Sequence, residues 1–228
     1  MLHLLFPPLC SICHTRLDHS HPLCLDCVGQ LRYLTPPWCS RCGTPQAFEG
    51  ECSDCFLSGS PLDQVRSVFV YQEPLRELIH QWKFKDKPAL SQFLGGQLTL
   101  YTENYFVKKT WDAIIPVPLH PARERERDYN QSSLLARVLS SATGIPIIEG
   151  AIRRIRVTSP QSRLTQLKRR ENMRSVFESF PHLVEGKRLL LVDDLYTTGT
   201  TLRACAYSLR ENGTLGVGGL TLARSLWI

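Results

Sequence analysis

A mostly parallel α/β sheet with a small cysteine-rich unit at its amino end is the fold this sequence predicts. Three observations carry that expectation. Leu189-Leu190-Leu191-Val192 is an uninterrupted apolar run that switches at once into two acids and a hydroxyl-rich loop. Such a run suits a parallel strand buried on both faces. A second run, Ala113-Ile114-Ile115, ends as abruptly at Pro116. Finally, eight of the nine cysteines crowd into the first quarter of the chain as four Cys-x-x-Cys pairs.

The pairs are Cys10/Cys13, Cys24/Cys27, Cys39/Cys42 and Cys52/Cys55. A Cys-x-x-Cys knuckle puts two thiolates on one side of a tight turn, and two knuckles complete a tetrahedral zinc site. Four pairs therefore predict two zinc ions, paired either sequentially or in an interleaved way. A disulfide framework would call for a secretion signal. The opening Leu2-His3-Leu4-Leu5-Phe6 is too short for one and lacks a basic leader. A complete four-thiolate site has no open position for substrate, so the zinc is structural. A unit this short buries little core, which makes metal binding its main expected folding energy. Cys205 stands apart and reads as a small core residue.

Ser58-Gly59-Ser60-Pro61 reads as a linker, so the expected units are residues 1–60 and 61–228. Residues 65–71 have strand composition. Residues 73–84 follow with Leu75, Leu78, Ile79 and Trp82 at helical spacing. Lys83, Lys85 and Lys87 then read as a solvated helix end, and a second helix is expected over 90–101. The strand that starts at Asp112 leaves the sheet near Pro116. The arginines Arg123, Arg125 and Arg127 lead into a helix through Ala142. Residues 153–164 mix arginine with Ser, Thr, Pro and Gln and read as a mobile loop, followed by a short basic helix over 167–173. Extended chain returns at Val176. The strand 189–192, its loop and a helix stopped by Gly213 precede a last strand over 217–222.

Charge is unevenly placed. Net charge is +6: −2 over residues 1–60, +2 over 61–110, +6 over 111–175 and zero over 176–228. The central excess suits a polyanionic small ligand or a nucleic acid. The acidic cysteine unit suits a docking or structural role better than direct contact with DNA. No apolar run approaches a membrane span, and a cytoplasmic protein without membrane insertion is expected.

The chemistry concentrates at Asp193 and Asp194 and at Thr197, Thr198, Gly199, Thr200 and Thr201. The loop offers backbone N–H groups and hydroxyls at a helix N-terminus, a cradle for a phosphate. It contains no lysine and so is not the Walker arrangement. Two carboxylates beside a phosphate make sense when they face sugar hydroxyls or a metal. A plain core strand followed by a helix capped by Thr200 or Thr201 would explain the apolar run but not the acid pair.

In order along the chain stand the cysteine pairs, Trp82-Lys83-Phe84, Pro116-Val117-Pro118-Leu119-His120-Pro121, Arg125-Glu126-Arg127 and Asn130-Gln131. Thr158-x-x-Gln161, Arg170-x-Asn172 and the stretch 193–201 follow. Over essentially its whole length the chain thereby resembles the ComF family. The resemblance implies a double zinc ribbon fused to a Rossmann-like sheet of the type I phosphoribosyltransferase kind. It implies 5-phosphoribosyl pyrophosphate (PRPP) as ligand, with Mg²⁺ between its hydroxyls and its pyrophosphate. Asp193 and Asp194 would then hold the ribose 2- and 3-hydroxyls and the 197–201 loop the 5-phosphate. The pyrophosphate loop would carry Pro118, His120, Arg123, Arg125 and Arg127, and the flexible loop Gln161 and Arg170. Asp128 departs from a glycine found in many relatives, a change that a left-handed turn tolerates. Three functions follow from the resemblance: a transferase acting on an acceptor, a PRPP-responsive module without turnover, and a competence protein. The last would handle single-stranded DNA beside partner proteins of the uptake machinery.

Overall fold

Each apolar run becomes an element of one layered structure. The computed structural model describes residues 8–19, 21–84, 88–106, 111–119, 129–155 and 176–226. In chain order these form α1 (Leu25–Gly29), α2 (Ser53–Ser58), β1 (Gln64–Val70), α3 (Leu75–Phe84), α4 (Pro88–Tyr105) and β2 (Ala113–Pro116). Then come α5 (Gln131–Thr143), β3 (Ile152–Arg154), β4 (Phe177–Ser179), α6 (Pro181–Val184), β5 (Arg188–Tyr196), α7 (Thr200–Glu211) and β6 (Gly216–Arg224).

Strands β1, β6, β5 and β2 form a sheet in that order, with every neighbouring pair parallel. Strands β3 and β4 make a separate antiparallel pair. The expected α/β class with a mostly parallel sheet is the class observed.

Period-2 alternation splits the buried side chains between two cores. On one face Leu190 and Val192 of β5 and Leu220 and Leu222 of β6 meet Leu78 and Trp82 of α3, Leu94 of α4 and Leu135 of α5. On the other, Leu189, Leu191 and Val217 meet Leu202 and Leu209 of α7 and Ile152 and Phe177 of the β3–β4 pair. The first core runs on without a break into Cys10, Leu17, Leu23 and Leu31. The cysteine unit is thus seated partly by apolar burial, which adds to the metal binding expected as its main folding energy.

The chain between the two cysteine sets also closes a sheet edge. Leu34 N–H donates to the Val68 carbonyl at 2.8 Å, and Val70 N–H donates to the Arg32 carbonyl at 2.8 Å. An open edge of β1 is thereby paired.

Two expected boundaries shift. β5 runs four residues beyond Val192, because β6 is long enough to pair with it as far as Tyr196↔Arg224. The acids therefore sit inside a strand and not in the loop. The start of the expected 153–164 loop is β3, which gains its partner from β4. Among the described residues no helix is long and apolar enough to cross a membrane.

Candidate functional site

Successive strand residues point to opposite faces, yet both acids of β5 reach the same layer. The alternation slips across them: Leu190 and Val192 join the first core, but so does Leu195, while Tyr196 joins the second. Asp193 Oδ1 accepts from Ser132 Oγ at 2.9 Å and from the Asp194 N–H at 2.9 Å. Ser132 lies in the first turn of α5. There the N-cap Asn130 accepts from the Ser132 N–H and donates its amide to the Val117 carbonyl, each at 3.0 Å. That cap ties the exit of β2 to the helix that holds Asp193, and the helix end favours negative charge.

Burial pushes the Asp193 carboxyl up to about 8, and the neighbouring Asp194 charge acts in the same direction. The Ser132 hydroxyl, the Asp194 N–H and the Lys83 ammonium pull against them. Asp194 Oδ2 is ion-paired with Lys83 Nζ from the last turn of α3. The two side chains are only 16% and 18% exposed, so this pair is not the solvated helix end expected for Lys83. Trp82, wholly buried and next to Lys83 in the chain, is held by donating Nε1–H to Ser91 Oγ at 2.9 Å. The Tyr129 hydroxyl donates to the Trp82 carbonyl. One corner thus gathers Lys83, Tyr129, Ser132, Asp193 and Asp194.

Beyond Tyr196 the chain makes the hydroxyl-bearing loop. Gly199 is the N-cap of α7, with φ 72 and no side-chain cap. A β-carbon there would collide with the Tyr196 hydroxyl, so both sterics and backbone require glycine. Gly199, and not Thr200 or Thr201, is the cap residue. Thr198 Oγ1 lies 2.7 Å from Thr200 Oγ1 and accepts from the Thr200 N–H at 3.4 Å. Arg203, one turn into α7, donates to the Thr198 carbonyl at 2.5 Å. Thr197, Thr198, Thr200 and Thr201 are exposed. Amides at the head of a twelve-residue helix and four exposed hydroxyl side chains can receive an anion.

β2 pairs with β5 so that Pro116 stands opposite Val192. Val117 N–H then donates to the Val192 carbonyl at 2.9 Å. Pro118, half-buried, therefore leaves the sheet beside the acid pair. His120, Arg123, Arg125, Arg127, Gln161 and Arg170 lie outside the described residues.

Lys83, Ser132 and Arg203 were not singled out as site residues in the sequence. For Ser132 a signal existed: Asn130-Gln131-Ser132 opens a helix directly after the arginine segment. Lys83 stood next to Trp82 in a quoted motif, but its partner is remote in the chain.

The cysteines form two four-thiol sets, Cys10/Cys13/Cys24/Cys27 and Cys39/Cys42/Cys52/Cys55, each with all four Sγ atoms within 4.8 Å of one another. Pairing is thus sequential. Cys13 and Cys24 Sγ stand 3.6 Å apart, and Cys42 and Cys52 Sγ 3.8 Å apart. Corners of a tetrahedron with Zn–S bonds of about 2.3 Å are about 3.8 Å apart. Backbone N–H groups of Cys24 and Cys52 donate to Cys10 and Cys39 Sγ at 3.5 and 3.3 Å, which suits thiolates. α1 and α2 start directly after Cys24 and Cys52. All nine cysteines are free of disulfides. The donor set and its spacing fit two structural zinc ions.

Comparison with known proteins agrees with this architecture. Residues 1–56 match the double zinc ribbon domain. The chain is 32% identical to the DNA utilization protein YhgH of Salmonella typhimurium over 229 residues, covering 98% of this chain and 100% of that one. It is 32% identical to competence protein F of Haemophilus influenzae over 215 residues, 89% of this chain and 90% of the other. Competence protein ComFC of Bacillus subtilis is 30% identical over 221 residues, 92% of this chain and 87% of its own. The chain belongs to the ComF family. Among solved structures, this ComF-family chain is similar to the glutamine PRPP amidotransferase of B. subtilis. That likeness is at 22% identity and a TM-score of 0.44, over 62% of this chain and 30% of that one.

Proposed function

We propose that this ComF-family protein binds PRPP at the carboxyl end of β5 and acts as a phosphoribosyltransferase-like component of DNA uptake or utilisation. The observation that carries the reading is the convergence of an acid pair with an anion cradle on one strand end. Asp193 and Asp194 come from β5, and the loop that follows leads straight into the N-terminus of α7. In open α/β sheets ligands bind at such carboxyl ends.

Asp193 Oδ1 and Asp194 Oδ2 already have protein partners. We therefore assign the ribose diol to Asp193 Oδ2 and Asp194 Oδ1. Amides and hydroxyls of Thr197, Thr198, Gly199, Thr200 and Thr201 receive the 5-phosphate. Lys83 holds Asp194 in place through their ion pair, and Ser132 orients Asp193. The two carboxylates are hard oxygen donors of the kind Mg²⁺ takes; when bound, that ion would offset pyrophosphate charge. Pro118, His120, Arg123, Arg125, Arg127, Gln161 and Arg170 are assigned to the pyrophosphate side by their place in the sequence. Guanidinium groups match a departing pyrophosphate better than ammonium groups do. Negative charge on the acid pair, restored to Asp193 when a cation displaces its proton, favours an oxocarbenium-like C1.

Titration calorimetry with PRPP and Mg²⁺ tests the reading. Binding by the parent protein and its loss in Asp193→Asn and Asp194→Asn are expected; absence of binding by the parent would overturn it. Pyrophosphate release with a panel of nucleobases and amines then separates a transferase from a PRPP-responsive module. A second reading, single-stranded DNA handling, draws on the names of the relatives and on the +6 charge of residues 111–175. It expects binding that weakens steeply with salt, and further on removal of Arg123, Arg125 and Arg127.

A further inference from the structure

The second cysteine set and the phosphate loop meet through two buried side chains. Arg224, the last residue of β6, is 7% exposed, and its guanidinium carbon lies 4.3 Å from the centre of the Tyr196 ring. Its Nη1 donates to the Cys42 carbonyl at 2.6 Å, and its Nη2 donates to Thr44 Oγ1. Thr44 Oγ1 in turn lies 3.0 Å from Cys42 Sγ. A metal-bound thiolate carries no proton, so the threonine hydroxyl must donate to the sulfur while it accepts from the arginine. On the other side, the Tyr196 hydroxyl fills the space beside Gly199. An unbroken line of contacts therefore runs from a zinc ligand, through Thr44, Arg224 and Tyr196, to the N-cap of α7.

Each link depends on the one before it. A guanidinium that stacks on a phenol and donates two hydrogen bonds in its plane is held in one orientation, as an ammonium would not be. Loss of metal would free the Cys42 turn, and with it the carbonyl and the hydroxyl that aim Arg224. Tyr196 would then lose the cation over its ring. Gly199 would lose the wall against which its left-handed backbone rests. The first cysteine set is seated differently: Cys10 and Cys27 pack into the core shared with α3 and α4.

We propose that Arg224 and Tyr196 are positioning residues that lock the phosphate loop to the Cys42 knuckle, so that metal in the second cysteine set and an anion on the loop strengthen each other's binding. The anion's identity rests on the reading of the loop as a 5-phosphate cradle; the mechanical link does not. Linkage makes the effect reciprocal.

The test uses the full-length zinc-loaded protein, Arg224→Met and Tyr196→Leu, with ribose 5-phosphate as probe. Amide exchange over residues 197–201 is read without ligand, and zinc release to a chelator is read with and without the probe. In both variants loop exchange should rise at least about fivefold while β1 stays protected and both zinc ions stay bound. In the parent the probe should slow release of one zinc ion of the two by at least about fivefold, and Arg224→Met should abolish that slowing. Unchanged loop exchange in Arg224→Met would overturn the proposal, as would equal loosening of β1 or equal slowing of both zinc ions. If the parent binds neither ribose 5-phosphate nor PRPP, the ligand reading falls while the exchange measurement still decides the link.

Discussion

The two cysteine sets are nearly identical in ligand spacing and are seated in opposite ways. The first is seated by apolar packing: Cys10, Leu17, Leu23, Cys27 and Leu31 share a core with α3 and α4, helped by the Gln81 amide donating to the Ser11 carbonyl at 2.9 Å. The second is seated by polar clamps. Arg66 Nη2 donates to the Ser40 carbonyl at 3.1 Å with its guanidinium 5.0 Å from the Trp38 ring centre, while Arg224 holds Cys42 and Thr44. They also support different halves of the candidate site. The last turn of α3 carries the lysine that pairs with Asp194, whereas β6 ends at the arginine behind Tyr196. Equal metal sites can thus carry unequal structural duties, decided by what surrounds them.

The contrast breaks most visibly at the metal ligands. Cys10→Ser removes a ligand from within the shared core and should cost on the order of 5 kcal/mol, lowering the thermal midpoint of the whole protein. Cys52→Ser should cost less and leave the far-ultraviolet signal of α3 and α4 in place until the main transition. Equal losses would erase the distinction between the two seats. Next in size is Trp82→Ala, which empties a fully buried volume under α3 at about 3–5 kcal/mol. It should weaken the proposed PRPP binding through Lys83, read by calorimetry. Arg66→Met removes charged hydrogen bonds from the second seat alone, worth about 1.5–3 kcal/mol in denaturant unfolding. Faster chelation of one zinc ion with the other unchanged is the accompanying result.

The acid pair supplies a test by pH. Asp193 holds its proton more tightly folded, up to about 8, than an unfolded aspartate near about 3.9. Between these values the native state binds more protons, so stability should fall as pH rises and level off above the folded value. Asp193→Asn should flatten that slope in denaturant melts collected across the window. A divalent cation should release a proton on binding below pH 8, read as buffer-dependent heat. The smallest effect expected is for Arg137→Ala: its pair with Glu149 is exposed on both sides, and less than about 0.5 kcal/mol should be lost.

Local features read well from the sequence because their causes are local. Four apolar residues ending in acids announced β5, and Cys-x-x-Cys spacing announced the knuckles. What escaped depended on partners remote in the chain. The length of β6 decided that β5 continues through Asp193 and Asp194. Lys83 has the look of any lysine at a helix end until α3 is packed beside β5. That Gly199 caps α7 was not read either: the hydroxyl of Tyr196 leaves room there only for glycine. Arg66 and Arg224, embedded in strand patterns, gave no sign that their heads would grip carbonyl groups of a metal knuckle.

The shared first core has a consequence for any attempt to take the protein apart. The Gly- and Ser-bearing stretch before residue 61 invites a cut, and a chain begun there would keep every strand of the sheet. It would also strip the cover from α3 and α4, and unzip residues 32–34 from the outer edge of β1. A truncated product of that kind should be sticky rather than merely less stable, pairing through a bared edge and a greasy flank. The small unit is therefore an integral wall of the larger one, and homologous exchange of either part should succeed only when both sides of that seam are transplanted together.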